Sequence, residues 1–151
     1  MSAETVPATV GRRRRVGRWL PLAFVVVVVA FGVAQILPLP RTADVAAPPS
    51  DATAEDVVRA YLDAIDAHDC GTAQDLTAPS FATTTESMCH DAASLTVTGL
   101  ETVGTGQVNA GFDVDWRLFA EDGSIPEGGF GWTYYLTQGD DGWLIEDAGN
   151  G

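Results

Sequence analysis

Basic side chains are scarce in this sequence, and lysine is absent, since all eight Lys and Arg positions are arginine. From Asp44 onward, the chain carries twenty acidic residues and two basic ones, Arg59 and Arg117. Affinity for DNA or RNA comes mainly from basic groups that neutralise phosphates, so no nucleic-acid partner is expected for this part. The same acidity favours a basic partner.

Several motifs that carry chemistry are also missing. The sequence has no G-x-S-x-G motif and no C-x-x-C pair, the usual signals of a serine hydrolase and of a redox site. Gly104-Thr105-Gly106 joins two predicted strands and does not precede a helix, so a phosphate-binding loop is not indicated. The acids near Asp140 and Asp141 lack the spacing of a calcium loop. We therefore predict no cofactor and no metal.

The N-terminal third has the pattern of a membrane anchor. Residues 1–18 carry five arginines, and residues 19–37, WLPLAFVVVVVAFGVAQIL, carry no charge. Nineteen helical residues at about 1.5 Å each span roughly the hydrocarbon core. We therefore predict a cytoplasmic tail, a single transmembrane helix over 19–37 and a cell-membrane location, with the C-terminal domain outside the cytoplasm.

Two alternatives to an anchor remain. A cleaved signal peptide would also export the rest of the chain, although its apolar region is usually shorter than this one. A helix of a buried core would leave the arginines unexplained. The next stretch, residues 38–52, holds four prolines and many small residues, and this composition predicts a semi-extended linker before a domain at 53–151.

One window, HDCGTAQDLTAPSFATTTESMCH, holds both cysteines and both histidines of the chain. In an exported domain, Cys70 and Cys89 are expected to form a disulfide. A zinc site is the alternative, but zinc ligands usually come in spaced pairs, and adjacent Cys89 and His90 point about 100° apart on a helix. A single nucleophilic cysteine would require that the two thiols are not paired.

The folded part begins with helical patterns and ends with alternating ones. Thr53-x-x-Asp56 is a capping pattern ahead of an apolar stripe at helical spacing, and Gly71 is the expected stop signal. Short helices are predicted over 71–76 and 83–92, the latter capped by Thr83. Strands are predicted over 95–103, 108–118, 130–136 and 143–145, with a bulge at Gly99.

This order predicts an α+β fold. An N-terminal transmembrane helix precedes a cone-like domain of about three helices, packed on a curved antiparallel sheet of about four strands. The hairpin-like loops Glu121–Gly129 and Gly139–Gly142 predict the antiparallel pairing.

The stretches EDVVRAYLDAIDAHD, GFDVDWRLF and DGWLIEDAG resemble a nuclear transport factor 2-like domain, also called the SnoaL-like or cystatin-like cone fold. The resemblance covers roughly residues 54–148. It implies a sheet that wraps the first helix, and, in the family's enzymes, an acid, Tyr or His inside the cone. The family's membrane-anchored bacterial members imply a scaffold role in the cell envelope.

The weak catalytic candidates on this basis are Asp113, Asp115, Tyr135 and His68. Asp113 and Asp115 fall on the strand face opposite Trp116, so we interpret them as mainly solvated, with Tyr135 beside them. His68 lies close to the predicted helix end, where a structural role is usual.

We predict a membrane-tethered extracytoplasmic domain of the bacterial cell envelope that binds or scaffolds and is not catalytic. Its expected partners are the membrane, an envelope protein or a second copy, and a small apolar ligand. The alternative is a small cone-pocket enzyme, an isomerase, dehydratase or cyclase that uses acid–base catalysis.

Overall fold

The structure is a computed structural model, and it describes residues 20–37, 39–118 and 128–149. The chain divides into two compact units, residues 1–37 and residues 38–151. The predicted arginine-rich tail, Trp19 and most of the predicted loop at 121–129 lie outside the described residues.

The described part of the first unit, residues 20–37, forms one helix, α1, at Leu20–Ile36. No helix among the described residues is both long enough and apolar enough to cross a membrane. The prediction of a transmembrane helix over 19–37 is therefore wrong.

The second unit begins its regular structure with α2, Ala54–Asp66. Thr53 and Asp56 form the predicted capping box, in which Thr53 Oγ1 accepts a hydrogen bond from Asp56 N and the Asp56 carboxylate accepts one from Thr53 N. Hydrogen bonding from the Thr53 side chain lowers the pKa of Asp56. The helix ends where His68 adopts a left-handed conformation, with φ of 55°. The residue that ends the helix in a left-handed conformation is therefore His68, three positions before the predicted stop signal at Gly71.

Two short helices follow, α3 at Cys70–Asp75 and α4 at Ala82–Asp91. Asp69 caps α3 by accepting a hydrogen bond from Thr72 N. The predicted cap of the third helix at Thr83 is wrong, because α4 starts one residue earlier and its N-cap, Phe81, makes no side-chain cap.

The described residues of the unit form four strands after the helices: β1 at Ala92–Gly104, β2 at Gln107–Trp116, β3 at Gly128–Gly139 and β4 at Gly142–Gly149. They pair antiparallel in the order β1-β2-β3-β4, so each strand lies beside its neighbour in sequence. The register of β1 against β2 shifts between Val97 and Gly99, where the sequence predicted a bulge.

The core lies between α2 and one face of the sheet, which we call the inner face. Alternate residues of β2 are buried, as the period-two pattern requires. Tyr61 of α2 meets Tyr134 of β3 edge-on, with ring centroids 5.8 Å apart. The fully buried large side chains are Tyr61, Tyr134, Phe112, Leu62, Ile65, Ile145, Val58, Val108 and Val114, with Thr85 and Cys89.

The segment ahead of α2 lies against the folded unit. Thr42 N donates a hydrogen bond to Ala67 O at 2.8 Å, and Val45 packs on the core. Arg41 Nη2 lies 2.5 Å from Asp69 Oδ2, and Val45 N donates to the same oxygen. We call residues 41–50 the strap, since these contacts hold it across the ends of α2 and α3.

Asp69 is the acceptor on which the strap depends, and its side chain is only 2% exposed. Burial alone raises the pKa of this carboxyl, but hydrogen bonds from Val45 and Thr72 and the charge of Arg41 outweigh it and lower the pKa. The folded state therefore favours the ionised carboxylate more than the unfolded chain does.

Replacement of Asp69 by Asn should lower the free energy of unfolding at pH 7 by about 1–3 kcal/mol, since a charged acceptor is lost. The pKa is lower in the folded state, so this stabilisation is present above the ordinary value of 3.8 and disappears as the pH falls through the folded value. Urea unfolding between pH 7 and pH 2.5 measures the difference.

Asp44→Asn is the matched control, because Asp44 also pairs with Arg41 but is 87% exposed. It should change stability by less than about 0.5 kcal/mol. Equal losses for the two variants would contradict the assignment of the strap contact to Asp69.

A close approach of two backbones fixes the β1–β2 turn. Gly106 has φ of 67°, and its carbonyl accepts a hydrogen bond from Leu136 N at 2.7 Å. A Cβ at this position would lie 2.3 Å from Leu136 O. Both the conformation and the space therefore require glycine.

Gly106→Ala should destabilise the protein by roughly 2–4 kcal/mol, because strain in the left-handed region adds to the clash. Gly99→Ala provides the control, since a Cβ there meets nothing within 4 Å. Thermal unfolding of both variants measures the effect, and a Gly106 variant as stable as the Gly99 variant would contradict it.

Candidate pocket beside helix α4

The acidic candidates named from the sequence lie on the outer face of the sheet. Asp113 and Asp115 are exposed and alternate with buried residues of β2. Asp115 accepts a hydrogen bond from Ser94 Oγ at 2.9 Å. Tyr135 lies on β3 and is 41% exposed. These side chains are on the face opposite the core, so none of them lines an internal site.

The remaining candidate, His68, lies at the end of α2. Its Nδ1 is 3.2 Å from Ile65 O, within the same turn of chain. This contact and its left-handed backbone give His68 a role at the helix end. The second histidine, His90, is exposed on α4. The structure therefore does not bring the four candidates together.

Cys70 and Cys89 form a disulfide that joins α3 to α4, with Cα atoms 5.7 Å apart. Their thiolates are therefore not available as metal ligands in this state. Among the described residues, no group of three or more His, Cys, Asp or Glu side chains is arranged to hold a metal ion. The cysteine-containing window thus serves to position α4.

A small cavity of about 210 Å³ lies between α4 and the end of the sheet. One face of α4 supplies most of its wall. The α4 residues that line it recur every three or four positions, as residues on one face of a helix do. Two tryptophans from β2 and β3 supply the rest. We call this cavity the α4 pocket; it is lined by Thr83, Thr84, Ser87, Met88, Asp91, Trp116 and Trp132.

One side of the α4 pocket is polar. Ser87 Oγ donates a hydrogen bond to Asp91 Oδ2 at 3.1 Å, and both side chains are half-buried. Asp91 is the last residue of α4. A carboxylate at this end meets the negative pole of the helix dipole, so it is placed where a negative charge is unfavourable.

The other side is aromatic. Trp132 meets Phe112 and Tyr134 edge-on, with ring centroids 6.2 Å apart in each case. The indole N–H of Trp116 is buried and has no hydrogen-bond partner within the described part of the chain. Buried donors are usually paired, so this N–H is an unsatisfied group, as is the hydroxyl of Tyr134 in the core beneath.

The tyrosines beneath this wall stay protonated. Burial raises the pKa of Tyr61, and the hydrogen bond with Thr85 only partly offsets the rise. Burial also raises the pKa of Tyr134, with the neighbouring Tyr61 adding to it. Neither hydroxyl is suited to act as a base near neutral pH.

A second cavity of about 290 Å³ lies where the strap meets the β3–β4 turn. Its wall combines residues of the strap and the turn, such as Pro48 and Asp140, with residues of regular elements, such as Val57 of α2 and Trp143 of β4. The α4 pocket is smaller, but its wall is held by a helix, two strands and a disulfide. Rigid elements position side chains more accurately than loops do, so we take the α4 pocket as the candidate site.

Sequence reasoning missed the polar members of the α4 pocket. The signal was the helical spacing of Thr84, Ser87 and Asp91, which marks a polar stripe on α4. The alternating pattern places Trp116 and Trp132 on the buried faces of their strands, but it does not indicate a gap in the packing of those faces.

No family model and no curated protein matches the chain. Two solved structures are similar to it. A SEC-C motif containing protein from Rhodopseudomonas palustris is 16% identical, with a TM-score of 0.42, covering 65% of this chain and 80% of that one. A SEC-C motif containing protein from Psychrobacter arcticus is 15% identical, with a TM-score of 0.41, covering 68% and 62%. Likeness at this level carries no inference about binding.

The predicted membership of the nuclear transport factor 2-like or SnoaL-like family is wrong. The structural matches are SEC-C motif containing proteins, and none is from the predicted family. The stretches that suggested the family are an amphipathic helix and alternating strands. Such patterns record which face is buried, and many α+β folds share them.

Removal of the disulfide should release α4 and disturb the pocket. The double variant Cys70→Ala/Cys89→Ala should be less stable by about 3 kcal/mol, as expected for a closed loop of this length. Urea unfolding measures the loss, and tryptophan fluorescence reports on Trp116 and Trp132. A reductant should lower the stability of the wild type to that of the variant and leave the variant unchanged. Equal stabilities without reductant would contradict the role given to the bond.

Proposed function

We propose that residues 39–149 act as a non-catalytic binding domain outside the cytoplasm, which holds a small ligand in the α4 pocket. The observation that carries the proposal is the construction of the pocket. Five of its seven lining residues come from α4, and Cys89 in that helix is bonded to Cys70. The bond therefore fixes the wall on which binding would depend.

The disulfide supports the location. Disulfides form and persist in oxidising compartments and are rare in the cytosol. Cys89 is 2% exposed, and its bond links two helices that are each too short to be stable alone. A domain that relies on such a bond is suited to the outside of the cytoplasm.

The residues that line the pocket favour a binding function over a catalytic one. An isomerase or dehydratase needs a positioned acid and a positioned base. The pocket offers one carboxylate, Asp91, beside three hydroxyls and two indoles. Asp113, Asp115 and Tyr135, the acid–base candidates on the sheet, face away from it. No observation favours the enzyme alternative at this site.

The size and polarity of the pocket bear on the type of partner. A volume of about 210 Å³ is below the 300–1,000 Å³ usual for drug-sized ligands. A small molecule with one polar end fits this space better than a wholly apolar one. An envelope protein and a second copy of the chain remain proposals for other surfaces.

Native mass spectrometry of the full chain, purified from an oxidising compartment without reductant, tests the proposal. Ser87→Leu should fill the α4 pocket and abolish a bound small molecule that the wild type retains. Glu86→Leu is the control, because Glu86 is exposed on the same turn and does not line the pocket. Its complex should match that of the wild type.

A ligand could be lost during purification. A small-molecule extract of the same compartment is therefore added to each purified protein before a second measurement. A ligand-free mass for all three proteins after this addition would overturn the binding proposal. Alkylation of thiols at cell lysis gives the second readout. Modified Cys70 and Cys89 in the wild type would overturn the proposed location.

A further inference from the structure

We infer that the ligand of the α4 pocket is a small organic cation, held by the Asp91 carboxylate against the indole rings of Trp116 and Trp132. The inference rests on the proposed function, and it adds the chemical class of the ligand. Three features of the pocket support it: the position of the acid, the aromatic wall and the charge of the surroundings.

The acid occupies a position that stability does not favour. Asp91 ends α4, where the helix dipole disfavours a carboxylate and favours a basic group. Among the described residues, Ser87 Oγ is the side-chain donor to this carboxylate, so Asp91 keeps acceptor capacity for a ligand. The Arg117 guanidinium lies at the neighbouring carbonyl of His90, and a bound ammonium group would place a positive charge at the Asp91 carboxylate itself.

The aromatic wall suits a cation as well. Indole is the strongest aromatic partner for a cation placed over its face. Trp132 is fixed by edge-on contacts with Phe112 and Tyr134, which limit its motion. Two indoles next to one carboxylate form the combination that recognises organic ammonium groups, where rings surround the alkyl part and the acid balances the charge.

The charge of the surroundings favours the same class. No basic residue lines the pocket as the structure describes it. The nearest arginine in sequence, Arg117, directs Nη1 to the carbonyl of His90, and its N–H donates to the carbonyl of Asp91. The unit from residue 38 onward carries twenty acids and three arginines, so its field attracts cations.

Three probes of similar size and different charge test the inference: n-butylammonium, n-butanol and n-butyrate. Their binding to the ¹⁵N-labelled full chain is followed by the indole N–H signals of Trp19, Trp116, Trp132 and Trp143. Trp→Phe variants assign the signals. Butylammonium should shift the signals of Trp116 and Trp132 in a saturable way and leave that of Trp143 unchanged. Its dissociation constant should be at least about tenfold lower than that of butanol.

Two isosteric variants separate the local charge from the general acidity. Asp91→Asn should weaken butylammonium binding by about tenfold. Asp115→Asn removes the same charge from the exposed outer face, and it should change binding by less than about twofold. The melting temperatures of both variants are measured as well, because Asp91→Asn also weakens the hydrogen bond from Ser87. A variant that stays folded at the temperature of the binding experiment shows that weaker binding does not reflect unfolding.

The outcomes distinguish the two proposals. Selective binding of butylammonium that depends on Asp91 supports both. If butanol or butyrate shifts the signals of Trp116 and Trp132 in a saturable way and binds as tightly as butylammonium or more tightly, the proposed ligand class is wrong. The pocket would still be a binding site. No saturable shift with any probe, even at molar-range concentration, would overturn both. Equal losses in the Asp91 and Asp115 variants would overturn the role of Asp91.

Discussion

The burial of α2 against the inner face of the sheet is the interaction on which the second unit depends. Val58, Tyr61, Leu62 and Ile65 are completely buried, and each such side chain contributes about 1.5–3 kcal/mol on leaving water. The short helices α3 and α4 cannot be stable alone, and they fold onto the surface that this packing creates. The disulfide then joins them, and the strap closes over the helix ends.

The α4 pocket lies at the margin of this packing. Its wall departs from the rules that stabilise the rest of the unit. Asp91 is a carboxylate at the wrong end of a helix, and Trp116 has a buried N–H without a partner in the described chain. Local departures of this kind are expected at functional sites, where stability is given up for a ligand.

The sequence predicted the local structure better than the larger arrangement. The capping pattern of Thr53 and Asp56 correctly predicted the start of α2, and the alternation along β2 correctly predicted its buried face. Both signals depend only on residues that are close together in the sequence. The prediction of a membrane helix was wrong because no helix among the described residues is both long enough and apolar enough to cross a membrane. The family assignment failed because burial patterns are common to unrelated folds.

The pocket itself could not be predicted from alternation or composition. Its wall joins α4 to β2 and β3, so it depends on contacts between residues that are distant in sequence. The candidates Asp113 and Asp115 were conspicuous because they alternate with aromatic residues, yet this alternation places them outside. Asp91 could not be identified as a site residue, since no sequence motif marks an acid at the end of a short helix as functional.

The meander order leaves two strands, β1 and β4, at the edges of the sheet. The register shifts along β1 interrupt the regular row of groups that another strand would need. The edge of β4 is occupied at Ile145, whose N–H and carbonyl bond to Leu76 and Ala78 in the connection between α3 and α4. Neither edge therefore offers a long, flat template for strand addition. The same connection that leads into the pocket helix thus also covers part of an edge at which another strand could pair.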